Sequence, residues 1–226
     1  MEKDSVFDGA SAMNRVAVAC HFVIVAVLEL AYLMEVVKGS RTVVYYLVFS
    51  LVAIMPVAIE FVLYRKEPDN LRLRHVIGVA YCLFYLFVVF TTVNVIAFTY
   101  IIPICLVLVL YSDVRLCAWV SGAGLAINIV FLAWQGVTGG ILAEDLATYE
   151  IRVALLALVA VFLCLSTKTL AKINASKLQE LDREKENVSA LLDKVMRISG
   201  QMSEGILDVA EQMKQLGEAV SETRNA

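Results

Sequence analysis

Apolar residues fill long, almost unbroken runs over the first three quarters of this chain, then thin out into a spaced helical stripe. The runs cover about residues 16–37, 42–64, 76–93, 95–111, 116–136 and 150–171. Roughly twenty apolar residues make a helix that crosses the hydrocarbon layer of a bilayer. Such a segment has to be helical, because lipid offers its backbone polar groups no other partner. The alternating pattern of a membrane β-strand is absent. The pattern predicts an all-α membrane protein, with a six-helix transmembrane bundle over residues 16–171. A short segment, 1–15, precedes it, and residues 172–226 follow as a C-terminal coiled-coil helix. Only Thr91-Thr92-Val93-Asn94 separates the third run from the fourth. A tight hairpin is expected there, since one span of about 36 apolar residues would be far longer than a bilayer needs. Asn94 is suited to cap the helix that follows.

After Lys172 the residues are polar and charged, with no proline and few β-branched side chains. Leu181, Val188, Val195, Met202, Val209, Leu216 and Thr223 fall on one heptad position, a. Leu191, Ile198, Gly205, Gln212 and Ala219 fall on d, and Leu192, Ile206, Met213 and Val220 on e. This stripe is wider than the seam of a two-stranded coil and suits a helix with more than one neighbour, as in a four-helix bundle. Between about 180 and 187 the stripe thins, which reads either as a weak joint or as a solvated face.

Composition agrees with this division. The chain is 60% hydrophobic and 18% charged, whereas soluble domains lie nearer half apolar and a quarter charged. Basic residues in short loops orient membrane helices. With the amino terminus inside, the inner segments hold Lys3, Arg15, Arg65, Lys66, Arg72, Arg74, Arg115, Lys168 and Lys172. The outer loops then hold Lys38 and Arg41, with Arg152 at the border and an acidic last loop of Glu144, Asp145 and Glu150. Both termini are therefore expected in the cytoplasm. The first run carries His21 and Glu29 and no A-x-A site follows it, so it reads as a retained span rather than a signal peptide. A net charge of −3 without a dense basic patch argues against a nucleic-acid partner. The 5 cysteines lie inside apolar runs without CxxC spacing and read as buried free thiols.

Ionisable and polar groups inside the runs are the candidate chemistry. Glu29, near the middle of the first span, is costly in lipid and is expected to face the bundle interior, as a ligand contact, a proton-sensing group or a packing hydrogen bond. Tyr32, Thr91, Thr92, Asn94, Tyr100 and Pro103 are expected near one outer end, where they would line a polar–aromatic pocket. The plainer account is a cap at Asn94 and interface anchoring by the tyrosines. His21 is expected to be packed and hydrogen-bonded, Glu60 to snorkel from the inner edge, and Glu35 to be at a depth where it can pair with Arg152. Pro56 and Pro103 interrupt the second and fourth runs and free the carbonyls of Val52 and Thr99, as kinks or as exposed backbone. Asn128 and Gln135 read as helix–helix hydrogen bonds. GAGL at 122–125 permits close packing. No hydrolase, phosphate-binding, zinc or dinucleotide motif occurs. The reading is therefore not an enzyme, with no cofactor and no metal.

The stretches MRISGQM (Met196 to Met202) and LGEAVSETRNA (Leu216 to Ala226) resemble the start of the cytoplasmic domain of methyl-accepting chemotaxis proteins. Residues 91–115, TTVNVIAFTYIIPICLVLVLYSDVR, look like the six-helix sensor region of such receptors from clostridia-like bacteria. The resemblance implies a homodimer in the bacterial cytoplasmic membrane, with a long helical hairpin bearing methylation sites and a tip that engages a histidine kinase and an adaptor. The chain stops at Ala226 without a hairpin turn or a clear methylation pair, so it is expected to be an input module with the first, truncated part of an output arm. Its partners would be the lipid bilayer and a second copy, with the kinase and adaptor reached only through a tip missing from these residues. The function expected is a chemoreceptor-type signal transducer, with Leu181, Val188, Val195, Met202, Val209 and Leu216 in the relay. The alternatives are a sensor for a histidine kinase or diguanylate cyclase and a small transporter. The 2 histidines, His21 and His75, both precede the tail, which disfavours a kinase within this chain.

Overall fold

A computed structural model describes residues 2–92, 94–138 and 146–225. Every element among the described residues is helical, with no strand. The elements are α1 (Glu2–Val37), α2 (Val43–Lys66), α3 (Leu73–Thr91), α4 (Ile101–Leu108), α5 (Val114–Val137) and α6 (Leu146–Asn225). The 3₁₀ turns Val95–Tyr100 and Val109–Tyr111 flank α4. Helices α1, α2, α3, α5 and α6 are long and apolar enough to cross a membrane, and Val95–Tyr111 is a shorter apolar helical stretch. The chain divides into two compact units, Met1–Ala171 and Lys172–Ala226. The acidic stretch with Glu144 and Asp145, the glycines Gly139 and Gly140, and Val93 lie outside the described residues.

In the first unit the element ends follow from local chemistry. At the end of α1, Gly39 adopts φ 73°, and its N–H and that of Ser40 return to the carbonyls of Val36 and Glu35, both at 2.9 Å. Glycine supplies this left-handed position without a Cβ penalty. Thr42 caps α2 by accepting from Tyr45 N–H. Asn94 caps the first 3₁₀ turn by accepting from Ile96 N–H at 3.0 Å. Asp113 caps α5 through Arg115 and Leu116 N–H and pairs with Arg74 at 3.2 Å. Helix α1 also takes in the segment expected to precede the first span. Within it, Asn14 is fully buried. Its amide donates to the carbonyls of Pro68 and Asn70, and its oxygen accepts from Tyr111 OH at 2.9 Å. One side chain thus ties α1 to the α2–α3 loop and to the end of the α4 segment.

Helix α1 packs on α2, α2 on α3, and α3 on α5, while the α4 segment touches α1, α3 and α5. The core is aromatic along its length. Tyr32 stacks on Phe49 at 4.0 Å, Phe49 meets Phe84 edge-on, Phe84 meets Tyr81, and Tyr81 lies 5.2 Å from the His21 ring. Two glycines permit close approach. A Cβ on Gly78 would meet Val120 Cγ2 at 2.9 Å, and one on Gly124 would meet Ile101 Cγ1 at 2.9 Å, whereas Gly122 faces open space. Only the second glycine of GAGL is therefore a packing contact. Pro56 is buried within an unbroken α2. Pro103 is the third residue of α4. The 3₁₀ turn Val95–Tyr100 runs directly into α4, so this proline falls just after the change from 3₁₀ to α-helix.

In the second unit α6 is helical throughout, including the thin stretch 180–187. Leu181, Val188, Val195, Met202, Val209 and Leu216 are all exposed, forming an uncovered apolar stripe. The side chains of Ala219, Val220 and Thr223 lie outside the described residues.

Candidate functional site

Polar and aromatic side chains gather where α1, α2, α3 and the first 3₁₀ turn meet. Buried Tyr32 donates from its hydroxyl to Thr92 Oγ1 at 3.3 Å. Tyr45 OH bonds Thr91 Oγ1 at 3.0 Å, and Thr91 Oγ1 in turn donates to the Phe87 carbonyl at 2.7 Å. Asn94 N–H donates to Thr92 Oγ1. Tyr100 stands beside Tyr32 and Glu35, and its carbonyl accepts from Tyr81 OH at 2.6 Å. The structure therefore brings together Tyr32, Thr91, Thr92, Asn94 and Tyr100. It adds residues that sequence patterning did not single out. Arg41 donates to the Thr91 carbonyl at 3.1 Å, covers the Tyr45 ring at 4.3 Å, and pairs with Glu35 at 3.7 Å. Glu35 thus has Arg41 beside it, not Arg152, because the tight turn after α1 returns Arg41 to the same end.

Arg152 is bound elsewhere. It is 5% exposed, and its Nε donates to Asn128 Oδ1 at 2.6 Å. The guanidinium lies over the rings of Phe98 and Phe131, at 5.4 and 5.1 Å. Asn128 also donates to Tyr85 OH and to the Gly124 carbonyl, both at 2.7 Å, and Tyr85 donates to the Phe98 carbonyl at 2.8 Å. This network joins α3, the first 3₁₀ turn, α5 and α6. Nothing in the described residues places a carboxylate on Arg152, so aromatic faces and a neutral amide balance its charge.

Toward the Asn14 end, His21 Nδ1 and Glu60 Oε2 share a hydrogen bond of 2.8 Å, with the two side chains 1% and 0% exposed. Glu60 does not snorkel; it is fully buried, and its Oε1 has no hydrogen-bond partner. Without Glu60 the packing of His21 would be incomplete, since buried charges and strong polar groups need partners.

The remaining expected site residues lie apart from the Tyr32 cluster. Glu29 is half-buried and faces a cleft between α1 and α2 instead of the interior. It accepts from Ser50 Oγ at 2.6 Å through Oε2, while its Oε1 is buried and unpartnered. Pro103 is exposed on a groove with α1, beside Ala19, Cys20 and Val23. Among the described residues, no group of His, Cys, Asp or Glu is arranged to hold a metal ion. The arrangement offers buried charges, hydroxyl chains and aromatic stacks, which suit recognition and alternative packings. No model of a known protein family matches the chain, and neither a curated protein nor a solved structure is similar to it.

Proposed function

We propose that this chain is a transmembrane signal transducer of the chemoreceptor type. In this reading six spans form the sensor and both termini lie in the cytoplasm. The fourth span is the stretch Val95–Tyr111. It has 17 residues, fewer than a usual span, but its 3₁₀ turns rise about 2.0 Å per residue against 1.5 Å in α-helix. The stretch therefore reaches about 30 Å, the thickness of the hydrocarbon layer. The arms of two copies pair through the heptad stripe. A stimulus read within the bundle favours one helix arrangement, and α6 carries the change inward. A ligand shifts such an equilibrium only by its differential affinity for the two arrangements, and a few kcal/mol suffices.

The observation that carries this reading is that one helix, Leu146–Asn225, contains both an apolar membrane stretch and a charged heptad stretch. Its part from Lys172 to Asn225 would extend about 80 Å at 1.5 Å per residue. The test joins residues 1–226 to an intact receptor tip and measures kinase output in membranes. Stimulus-dependent output, lost when four glycines are inserted after Lys177, is the expected result. Output indifferent to every stimulus and to the insertion, in a chimera correctly placed in the membrane, would reject it.

A further inference from the structure

Helices α3 and α5 begin at the same end of the bundle, where Arg74 of α3 pairs with Asp113, the cap of α5. Between their first turns lies a groove of about 330 Å³, lined by His75 and Val79 from α3 and by Arg115, Leu116 and Trp119 from α5. Its polarity is graded. His75 stands four residues before Val79, and Arg115 four before Trp119. On each helix the polar side chain is therefore about one turn, or roughly 5–6 Å, nearer the helix start than the apolar one. The charge at the groove's mouth is not neutralised by contact within the protein. Asp113 accepts from the Arg115 and Leu116 N–H groups through Oδ1 and holds Arg74 through Oδ2. Among the described residues, the Arg115 guanidinium, the His75 ring and the Trp119 indole N–H have no hydrogen bond or ion pair, and all three side chains are exposed. Arginine is charged at every ordinary pH, and its fork of N–H groups matches two phosphate oxygens. Tryptophan favours the level where headgroups meet hydrocarbon, and basic pockets between membrane helices hold anionic headgroups. A free phosphate would leave the apolar half of the groove uncovered. An uncharged lipid would leave the guanidinium without a counterion.

We infer that this groove binds an anionic phospholipid, its phosphate on Arg115 and His75 and its acyl chain along Val79 and Trp119. The inference rests on α3 and α5 crossing the bilayer and not on the signalling reading.

The test uses the full chain with Trp134→Phe in phosphatidylcholine nanodiscs, so that Trp119 is the one left of the chain's 2 tryptophans. Bromine on a lipid acyl chain quenches tryptophan fluorescence on contact. Phosphatidylglycerol or phosphatidylcholine, brominated near the headgroup end of the acyl chain, is added at equal fraction, and quenching gives the relative affinity at Trp119. Phosphatidylglycerol is expected to bind about fivefold more tightly, the effect of a single basic residue at an anionic surface. Arg115→Gln is expected to abolish the preference. Val79→Phe, which fills the groove and keeps the cation, is expected to abolish it too. Arg65→Gln removes an exposed charge from the last turn of α2, outside the groove, and is expected to leave the preference unchanged. Equal quenching by the two lipids, a preference that survives Arg115→Gln or Val79→Phe, or one lost equally in Arg65→Gln would overturn the inference. So would relief of quenching by soluble glycerol 3-phosphate, which would show a site for free phosphate. Disulfide crosslinking between copies through Val79→Cys, on a background lacking the native cysteines, would also overturn it by showing a second copy in the groove.

Discussion

Taking His21 and Glu60 out of water costs solvation that their single 2.8 Å contact must offset. Removing one partner leaves the other buried and uncompensated. Glu60→Ala or His21→Ala is therefore expected to lower stability by about 3–5 kcal/mol, measured by denaturant unfolding in detergent. The double replacement His21→Leu with Glu60→Met should recover most of the loss, because it leaves no buried polar group without a partner. Asn128→Leu tests the second buried group. It removes the acceptor of Arg152 and the donor to Tyr85, at an expected cost of about 1.5–3 kcal/mol in the same assay. At this scale the sequence reveals which residues are unusual but not whom they meet. His21 and Glu29 stand out because each is a polar group inside an apolar run. Glu60 lies near the end of its run, where a snorkelling side chain looks equally reasonable. Its burial depends on the register of α1 against α2, and no local pattern encodes that register. Arg41 was hidden for a related reason: a loop cation looks solvated until the turn at Gly39 folds it back onto Tyr45.

Among the element ends, the cap at Asn94 was legible because capping is local, whereas the caps at Thr42 and Asp113 and the early start of α1 at Glu2 were not singled out. Thr42, Asn94 and Asp113 each accept from the N–H groups that follow, as their side-chain chemistry dictates. The 3₁₀ character of Val95–Tyr100 was not legible, since its residues are as apolar as those of any α-helical span. Packing separates glycines that look alike in sequence. Gly78→Ala and Gly124→Ala each drive a Cβ to 2.9 Å from a branched side chain, at Val120 and Ile101. Each should cost about 1–3 kcal/mol through overpacking. Gly122→Ala meets open space and should be neutral or slightly stabilising, as alanine is the better helix former. Thermal unfolding of the three variants side by side separates these outcomes.

For the whole molecule, the division into an apolar unit and a charged helix was plain from hydropathy alone, because the long apolar runs give way to a spaced, charged pattern after Lys172. What was not legible is which surfaces are covered. The arm exposes Leu181, Val188, Val195, Met202, Val209 and Leu216 in a row, and a stripe of that length in water calls for a partner helix. In the proposed account that partner is the same stripe of a second copy. The most direct test is a single-cysteine crosslinking scan through residues 174–216 of the native chain in membranes, on a background lacking its own cysteines. The account predicts rapid disulfide formation at Val188, Val195 and Met202, slow formation at intervening exposed positions, and a repeat of about 3.5 residues that continues without a phase break down to residue 174. Crosslinking without periodicity, or a repeat lost between residues 174 and 187, would contradict a helical rod leading from the membrane into a paired arm.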